Sequence, residues 1–487
     1  MSAFDRLVAE MRAGRESSLI GKRDETQSLI LESLEERIHR KDHGRYLVRV
    51  NLQTGADVAS FAGIIDEDNP TSGPYQGTSF VWFPGEGGSV VALVVGTAGF
   101  GADTAILGRP GHERRLRALA RMHNGRLWVK PDLLDISTKV PDTITQRWPN
   151  IDAALKEYSS VIYAAVGVRQ DEDDDVAAQV VSDLLDLYLF ERNIRHKGAA
   201  STRWQQRLEE ITSHIFPSVA LEDVRALLCE RRFVILEGPP GTGKTRLALQ
   251  VAREIGSYEM VQFHPARTYE DFVVGLYPSA TRDGLAFEVR PGDLLRANQQ
   301  AQINKHVLVV DEINRADLGR VLGEAISLFE PGEPGRTVRL PHVPDGFPPE
   351  LQLSPNLLVL GTRNTADRSI AHLDLAIRRR FAFLEMWPSL AVVREEDEPL
   401  AITAFEDVIR TFTEFTTDEE LRLIPGHSYF LDPLGGSHPE GRSERVRRRL
   451  QLEVVPLLRA YVAEHLVGGA SLEIKGLADR IENMARD

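Results

Sequence analysis

"RRFVILEGPPGTGKTRLALQVAREI", residues 231–255, reads as strand, loop and helix. Phe233–Leu236 is apolar and β-branched, and the segment after the loop carries Leu247, Leu249, Val251 and Ile255 on a helix. Between them, Gly238, Pro239, Pro240, Gly241, Thr242, Gly243, Lys244 and Thr245 spell G-x-x-x-x-G-K-T. In this setting the glycines let backbone N–H groups curl around the phosphates of a nucleotide, and the helix N-terminus adds partial positive charge. Lys244 is placed to contact the phosphates and Thr245 to hold Mg²⁺ through its hydroxyl. A glycine-rich turn without a ligand is the bland alternative, and the flanking strand and helix argue against it.

Two further strand ends extend this reading. In "KHVLVVDEINRADLGRVLGEAISLFE", residues 305–330, Val307–Val310 are apolar without alternation, as in the middle of a parallel sheet. The run ends in Asp311-Glu312. Asp311 would orient Mg²⁺ and its water shell, and Glu312 would polarise the water that attacks the γ-phosphate. In "NLLVLGTRNTADRS", residues 356–369, a second buried strand ends in polar residues. Ligands in such sheets sit at the carboxyl ends of strands, so Asn364 would face the attacking water if this strand lies beside the acid pair. Asp367 would hold a guanidinium, one from a neighbouring subunit being a candidate. "HLDLAIRRRF", residues 372–381, then places Arg378, Arg379 and Arg380 together. One or two of the three are expected to act in trans as arginine fingers on the γ-phosphate, with Arg379 and Arg380 as the candidates, and the rest to make structural ion pairs. A helix C-terminus decorated with cations is the plainer reading of the same residues.

Together these segments resemble an AAA+ ring NTPase of the McrB family, the GTP-using motor subunits of modification-dependent restriction systems. "NTADRS" with "RRRF" behind it, "VQFHPARTYEDFVVGLYP" at 261–278, "DEINRADLGRVLGE", "GHSYF" at Gly426–Phe430 and "VVPLLRAYV" carry the resemblance, over about residues 215–470. The family signature is written M-N-x-x-D, and here Arg363 stands in the methionine place. The resemblance implies a hexameric homo-oligomer that hydrolyses GTP, or ATP as the alternative, with Mg²⁺ at subunit interfaces. It also implies a McrC-like nuclease subunit as partner and DNA as the object of the work, with no nuclease activity in this chain. An ATP-dependent remodelling chaperone that matures or disassembles a protein complex is the competing function.

The fold expected is α/β: an AAA+ P-loop module over 204–390, a helical lid over 391–487, and a mixed α+β domain over 1–200 for recognition or partner binding. In that first domain "DETQSLILESLEERIHRK" reads as helix and "RYLVRVNL", "TSFVWF", "SVVALVVGT" and "GRLWVKP" as strands. "IDAALKEYSSVIYAAVGV" and "VAAQVVSDLLDLYLFERNI" read as helices, "RQDEDDD" as a solvated loop and "RHKGAAST" as a linker. "GRPGHERRLRALARMHNGRLWVKP" places Arg114, Arg115, Arg117 and Arg121 near Trp128. A basic helix beside an aromatic can bind phosphates and stack a base; an amphipathic helix with a solvated basic face is the ordinary alternative. Tyr75, Trp82 and Phe83 would line a pocket or fill core.

The 487 residues carry a net charge of −14, so a nucleic-acid contact would be local or belong to an assembly rather than to a generally basic coat. One cysteine, Cys229, permits no intrachain disulfide. The N-terminus has no signal-peptide core and no apolar run is long enough for a bilayer, which sets the expectation of a cytoplasmic chain without a membrane partner.

Overall fold

The computed structural model describes residues 2–53, 57–69, 76–281, 284–330, 332–333, 335–366, 375–435 and 441–486. They group into two compact units: Met1–Ile215 with Thr413–Phe415, and Phe216–Phe412 with Thr416–Asp487.

The first unit holds an antiparallel sheet of β1 (Tyr46–Asn51), β2 (Phe61–Asp66), β3 (Thr78–Gly85), β4 (Gly88–Val95), β5 (Trp128–Val129) and β6 (Ile162–Arg169), in the order β1-β2-β3-β4-β6-β5. Every residue of β3 and β4 is buried, so both faces of the sheet centre are covered. Helices Ala3–Ala13 and Asp174–Glu191 pack on β4. Gly14, at φ +59°, ends the first of these; a Cβ there would lie 1.9 Å from the Gly88 carbonyl oxygen, so only glycine lets the chain pass.

The sequence reading is revised at three points. "VIYAAVGV" is not helical: a short helix, Asp152–Tyr158, ends before β6 begins at Ile162. This run has no polar face to expose, and burial between β4 and β5 overrides the helix propensity of its alanines. "GAAST" is not linker but the first turns of helix Gly198–Ile215, which buries Ala200, Trp204 and Ile211. The acidic run also does more than sit in solvent, since Asp173 caps helix Asp174–Glu191 by accepting from the Asp175 amide at 2.8 Å.

The second unit is built on β7 (Phe233–Gly238), β8 (Ser257–Gln262), the antiparallel hairpin β9 (Val274–Thr281) and β10 (Gly284–Pro291), β11 (His306–Asp311), the short pair β12 (Val338–Arg339) and β13 (Glu350–Leu351), β14 (Leu357–Asn364) and β15 (Ala382–Glu385). Five of these form a parallel sheet in the order β15-β7-β14-β11-β8. Its three central strands, β7, β14 and β11, are buried and mostly apolar on both faces. Val234, Leu236, Val307, Val309, Leu358 and Leu360 pack with Val224, Leu228, Ala248 and Val251 from helices Leu221–Arg231 and Lys244–Ile255. Phe233, Ile235, Leu308, Val310, Leu357 and Val359 pack with Leu294, Val321, Phe329 and Ile377 on the other side. This is the doubly covered α/β layer expected of unbroken apolar strands.

The C-terminal stretch is helical: Pro399–Phe415, Arg442–Arg449, Val455–Ala463 and Ser471–Arg486. A π-turn at Leu450–Val454 joins two of them. Pro456 follows it and has no N–H to close a regular α-turn, which accounts for the local widening. Among the described residues no helix is long and apolar enough to cross a membrane.

Candidate nucleotide-binding site

The central strands β7, β14 and β11 end at one edge of the sheet, and their last residues are polar. Register puts Arg363 opposite Glu237 and Asn364 opposite Gly238, with β14 lying between β7 and β11. The condition on Asn364 is therefore met: its strand is the immediate neighbour of the acid pair.

The loop Gly238–Thr245 leads straight from β7 into helix Lys244–Ile255. Gly241 and Gly243 have φ of +78° and +80°, the left-handed conformation that glycine adopts without strain. Thr242 ties the loop by donating from Oγ1 to the Pro239 carbonyl at 3.0 Å. Lys244 Nζ turns inward and donates to the carbonyls of Gly238 (3.0 Å) and Pro239 (2.6 Å). Burial pushes this ammonium down to about 8, against the opposing pull of Glu312 and Asp311. Its charge is thus under-compensated by the protein itself.

Thr245 Oγ1 donates to Asp311 Oδ1 at 2.7 Å. Thr362 Oγ1 donates to the same oxygen at 2.5 Å and accepts from the Glu312 amide at 3.2 Å. Thr362 escaped the sequence reading; its signal was only its place two residues before Asn364 on a buried strand. The Thr245 hydroxyl and the Asp311 carboxylate are hard oxygen donors side by side at the phosphate loop. That set fits Mg²⁺, which takes one or two protein oxygens and completes its shell with phosphate and water.

Glu312 sits at φ +53°, ψ +44°, a conformation that costs a residue with a side chain about 1–2 kcal/mol. Asn364 Nδ2 donates to Glu312 Oε1 at 2.6 Å, and Arg315 Nε lies 3.5 Å from Oε2. The acid and the amide expected to share one water are hydrogen-bonded to each other. Asp367, with its neighbour Arg368, lies outside the described residues.

Arg363 is accounted for by β-pairing. Its Nη1 lies 3.1 Å from Glu237 Oε2 across the β14–β7 ladder, and both side chains are largely buried. Burial holds the guanidinium below its ordinary value despite Glu237. The residue in the family's methionine place is a strut between two strands, and its partner is the glutamate just before the phosphate loop.

Of the three arginines at Leu375–Arg380, Arg380 is buried, 3.1 Å from Glu330 Oε2 and donating to the Ala376 carbonyl. Arg379 pairs with the same carboxylate at 3.2 Å but is 63% exposed. Arg378 is exposed, with its guanidinium 5.5 Å from the centre of the Phe383 ring. Arg379 and Arg378 are the members of the cluster that face outward.

The segment Gly426–Phe430 reaches the phosphate loop directly. The Gly426 amide donates to the Pro240 carbonyl at 2.9 Å and the Ser428 amide to the Gly241 carbonyl at 3.0 Å. A Cβ on Gly426 would lie 2.1 Å from the Gly241 carbonyl carbon, so this approach requires glycine.

In the first unit the basic helix Pro110–Met122 uses much of its charge internally. Arg114 and Arg115 are buried, and Arg115 Nε donates to Glu191 Oε1 at 2.7 Å. Arg117 pairs with Glu113 and donates to the Pro131 carbonyl at 2.9 Å; Arg121 donates to the His214 carbonyl at 3.1 Å. Only Arg117 and Arg121 of the four present surface. Trp82 and Phe83 are core, and Tyr75 lies outside the described residues.

Residues 233–381 match the AAA domain (dynein-related subfamily). The EcoKMcrB subunit of the type IV methyl-directed restriction enzyme of Escherichia coli (strain K12) is 28% identical over 352 residues, 67% of this chain and 75% of that protein. That share is larger than the second unit, so the likeness continues into the first. The YdiS component of the type II restriction enzyme BsuMI of Bacillus subtilis (strain 168) is 25% identical over 193 residues, 31% of this chain and 55% of that protein. A mitochondrial Lon protease homologue of Debaryomyces hansenii is 25% identical over 145 residues, 28% of this chain and 12% of that protein. With a phosphate loop, an acid pair and an asparagine brought to one sheet edge, the chain carries an AAA domain and is similar to McrB-type AAA+ proteins.

Proposed function

We propose that the chain is the GTP-hydrolysing motor of a McrBC-like DNA restriction or antiphage complex, working in the cytoplasm as a ring of identical subunits, with six as the expected number. The observation that carries the hydrolytic part is the set of contacts Lys244, Thr245, Asp311, Glu312 and Asn364 make around one sheet edge. When a nucleoside triphosphate enters, Lys244 leaves the loop carbonyls for the phosphates. Thr245 and Asp311 would hold Mg²⁺, which would supply positive charge to the phosphates. Asn364 turns its amide from Glu312 to the γ-phosphate, freeing the carboxylate to take a proton from the attacking water. Arg379, exposed at the end of its helix, reaches the γ-phosphate of a neighbouring subunit, and Asp367 steadies a guanidinium at that interface.

The choice of GTP over ATP and the McrC-like nuclease partner rest on the family. The phosphate loop touches no base. Residues 1–200, within the first unit, are the recognition or partner-binding module, with Arg117 and Arg121 as the outward basic residues available to DNA. The deciding experiment compares GTP and ATP hydrolysis by the purified chain, with and without the nuclease encoded beside it. GTP turnover that rises on adding the nuclease is expected; ATP turnover indifferent to it would favour the remodelling chaperone. For the interface, a mixture of Arg379→Ala and Glu312→Gln subunits should recover turnover that neither has alone, and no recovery at any ratio would place the finger elsewhere.

A further inference from the structure

His427 lies at the centre of the segment that clamps the phosphate loop. It is flanked by the two backbone hydrogen bonds from Gly426 and Ser428 to the Pro240 and Gly241 carbonyls, so its main chain is fixed on both sides. Its Nδ1 accepts from the Ser389 amide at 3.3 Å, which ties it to the connection between β15 and the helical C-terminal stretch. Its Nε2 lies 3.6 Å from the point where a Cβ of Gly243 would project. Gly243 is the bare residue at the entry to helix Lys244–Ile255, where backbone and phosphate must come close. The ring therefore stands beside the loop-to-helix junction, with Nε2 on the side of Gly243.

The ring's protonation follows from its surroundings. Burial, then the charges of Arg246 and Lys244, push His427 down to about 4, so the imidazole is neutral at ordinary pH. A neutral imidazole that accepts at Nδ1 carries its proton on Nε2. A donor at the loop-to-helix junction, beside Arg246 and Lys244, is matched to an anion.

We propose that His427 donates from Nε2 to the phosphate chain of the bound nucleotide, making Gly426–Phe430 the element through which the helical C-terminal stretch senses occupancy of the loop. This rests on the nucleotide-hydrolysis reading and adds a residue to it. Because Gly243 stands at the loop-to-helix junction rather than at a strand end, the contact serves di- and triphosphates alike.

The test is calorimetric binding of GDP and GTP, and of ADP and ATP, to the full-length chain and its His427 variants. His427→Ala should weaken diphosphate and triphosphate equally, by about tenfold or more, the worth of one hydrogen bond to a charged group. His427→Gln keeps an N–H donor at similar reach and should recover most of the loss. Binding by His427→Ala within about twofold of the parent overturns the inference, as does a glutamine variant as weak as alanine with an unchanged melting temperature. Should His427→Ala melt early, the parent protein labelled with ¹⁵N-histidine answers instead: the His427 Nε2 resonance should move on adding GDP, and an unmoved resonance at saturation overturns the inference. A parent that binds none of the four nucleotides would bring down the hydrolysis reading itself, whereas parent binding with an indifferent His427 removes only this contact.

Discussion

Two buried charges, Asp186 in the first unit and Lys244 in the second, are held in opposite ways. Asp186 takes hydrogen bonds from Arg37 at 2.6 Å, His196 at 3.1 Å and Arg203 at 2.6 Å. Burial alone would raise its pKa, but the His196 hydrogen bond and the charges of Arg37 and Arg203 outweigh that and hold it well below the usual carboxylate range. Glu191 follows the same pattern: His112 and Arg115 outweigh burial and bring it to about 2. In the second unit burial wins at Lys244, and Asp311 and Glu312 do not restore it. A buried charge favoured by its protein partners is structural. Lys244 differs from Arg363, which burial also holds low but which keeps Glu237: its ammonium touches loop carbonyls, and its disfavoured charge is matched to a ligand of opposite sign.

Glu312→Gln should break hydrolysis without breaking binding. Turnover is expected to fall by about 10²–10⁴-fold, the usual worth of a general base, while calorimetric affinity for nucleotide holds. Turnover that survives would move the base to another residue. Asp186→Ala tests the other side of the contrast. Removing the acceptor leaves Arg37 buried without its carboxylate, at a cost of about 3–5 kcal/mol, read as an early melting transition with nucleotide affinity unchanged in the protein still folded. A variant that melts normally would deny Asp186 its structural role.

Arg363 gives a test with a smaller effect in the second unit. Arg363→Met strands Glu237 on β7 and should cost about 2–3 kcal/mol of stability, while Arg363→Met with Glu237→Leu should regain most of it. A double variant no better than the single one would mean that the pair is not the reason for the arginine. The mildest effect concerns pH. The pKa of Lys244 is about 8 in the empty site against an ordinary 10.5, so between those values the unfolded chain holds more protons. Stability of the empty protein therefore rises with pH there. Nucleotide restores the proton, so binding should take up a proton above about pH 8 and weaken as pH climbs toward 10.5. Calorimetry in buffers of different ionisation enthalpy reads this directly, and zero proton uptake would mean that Lys244 is already fully charged.

The loop Gly238–Thr245, the acid pair and the α/β class were legible because each depends on local order: glycines at fixed offsets, a lysine and threonine at a helix start, carboxylates behind four apolar residues. Helix against strand was legible where one face was polar, as at Arg23–Arg37, and failed at Ile162–Arg169, where both faces are buried and no period remains. Thr362, Glu237 and the approach of His427 to the loop could not be read from the chain. Each depends on which strand lies beside which, or on a segment some 180 residues distant along the chain folding back on the loop.

The sequence by itself thus pointed to a phosphate cradle and to the residues expected to line it, because a turn, a helix start and a strand end are short-range events. Tertiary structure decided what those residues face. It closed Arg114 and Arg115 into the first unit, gave Arg363 a carboxylate across a ladder and set His427 over Gly243. Solvation and partner charge set the energy of a buried polar group, and both are properties of neighbours in space rather than neighbours in the chain.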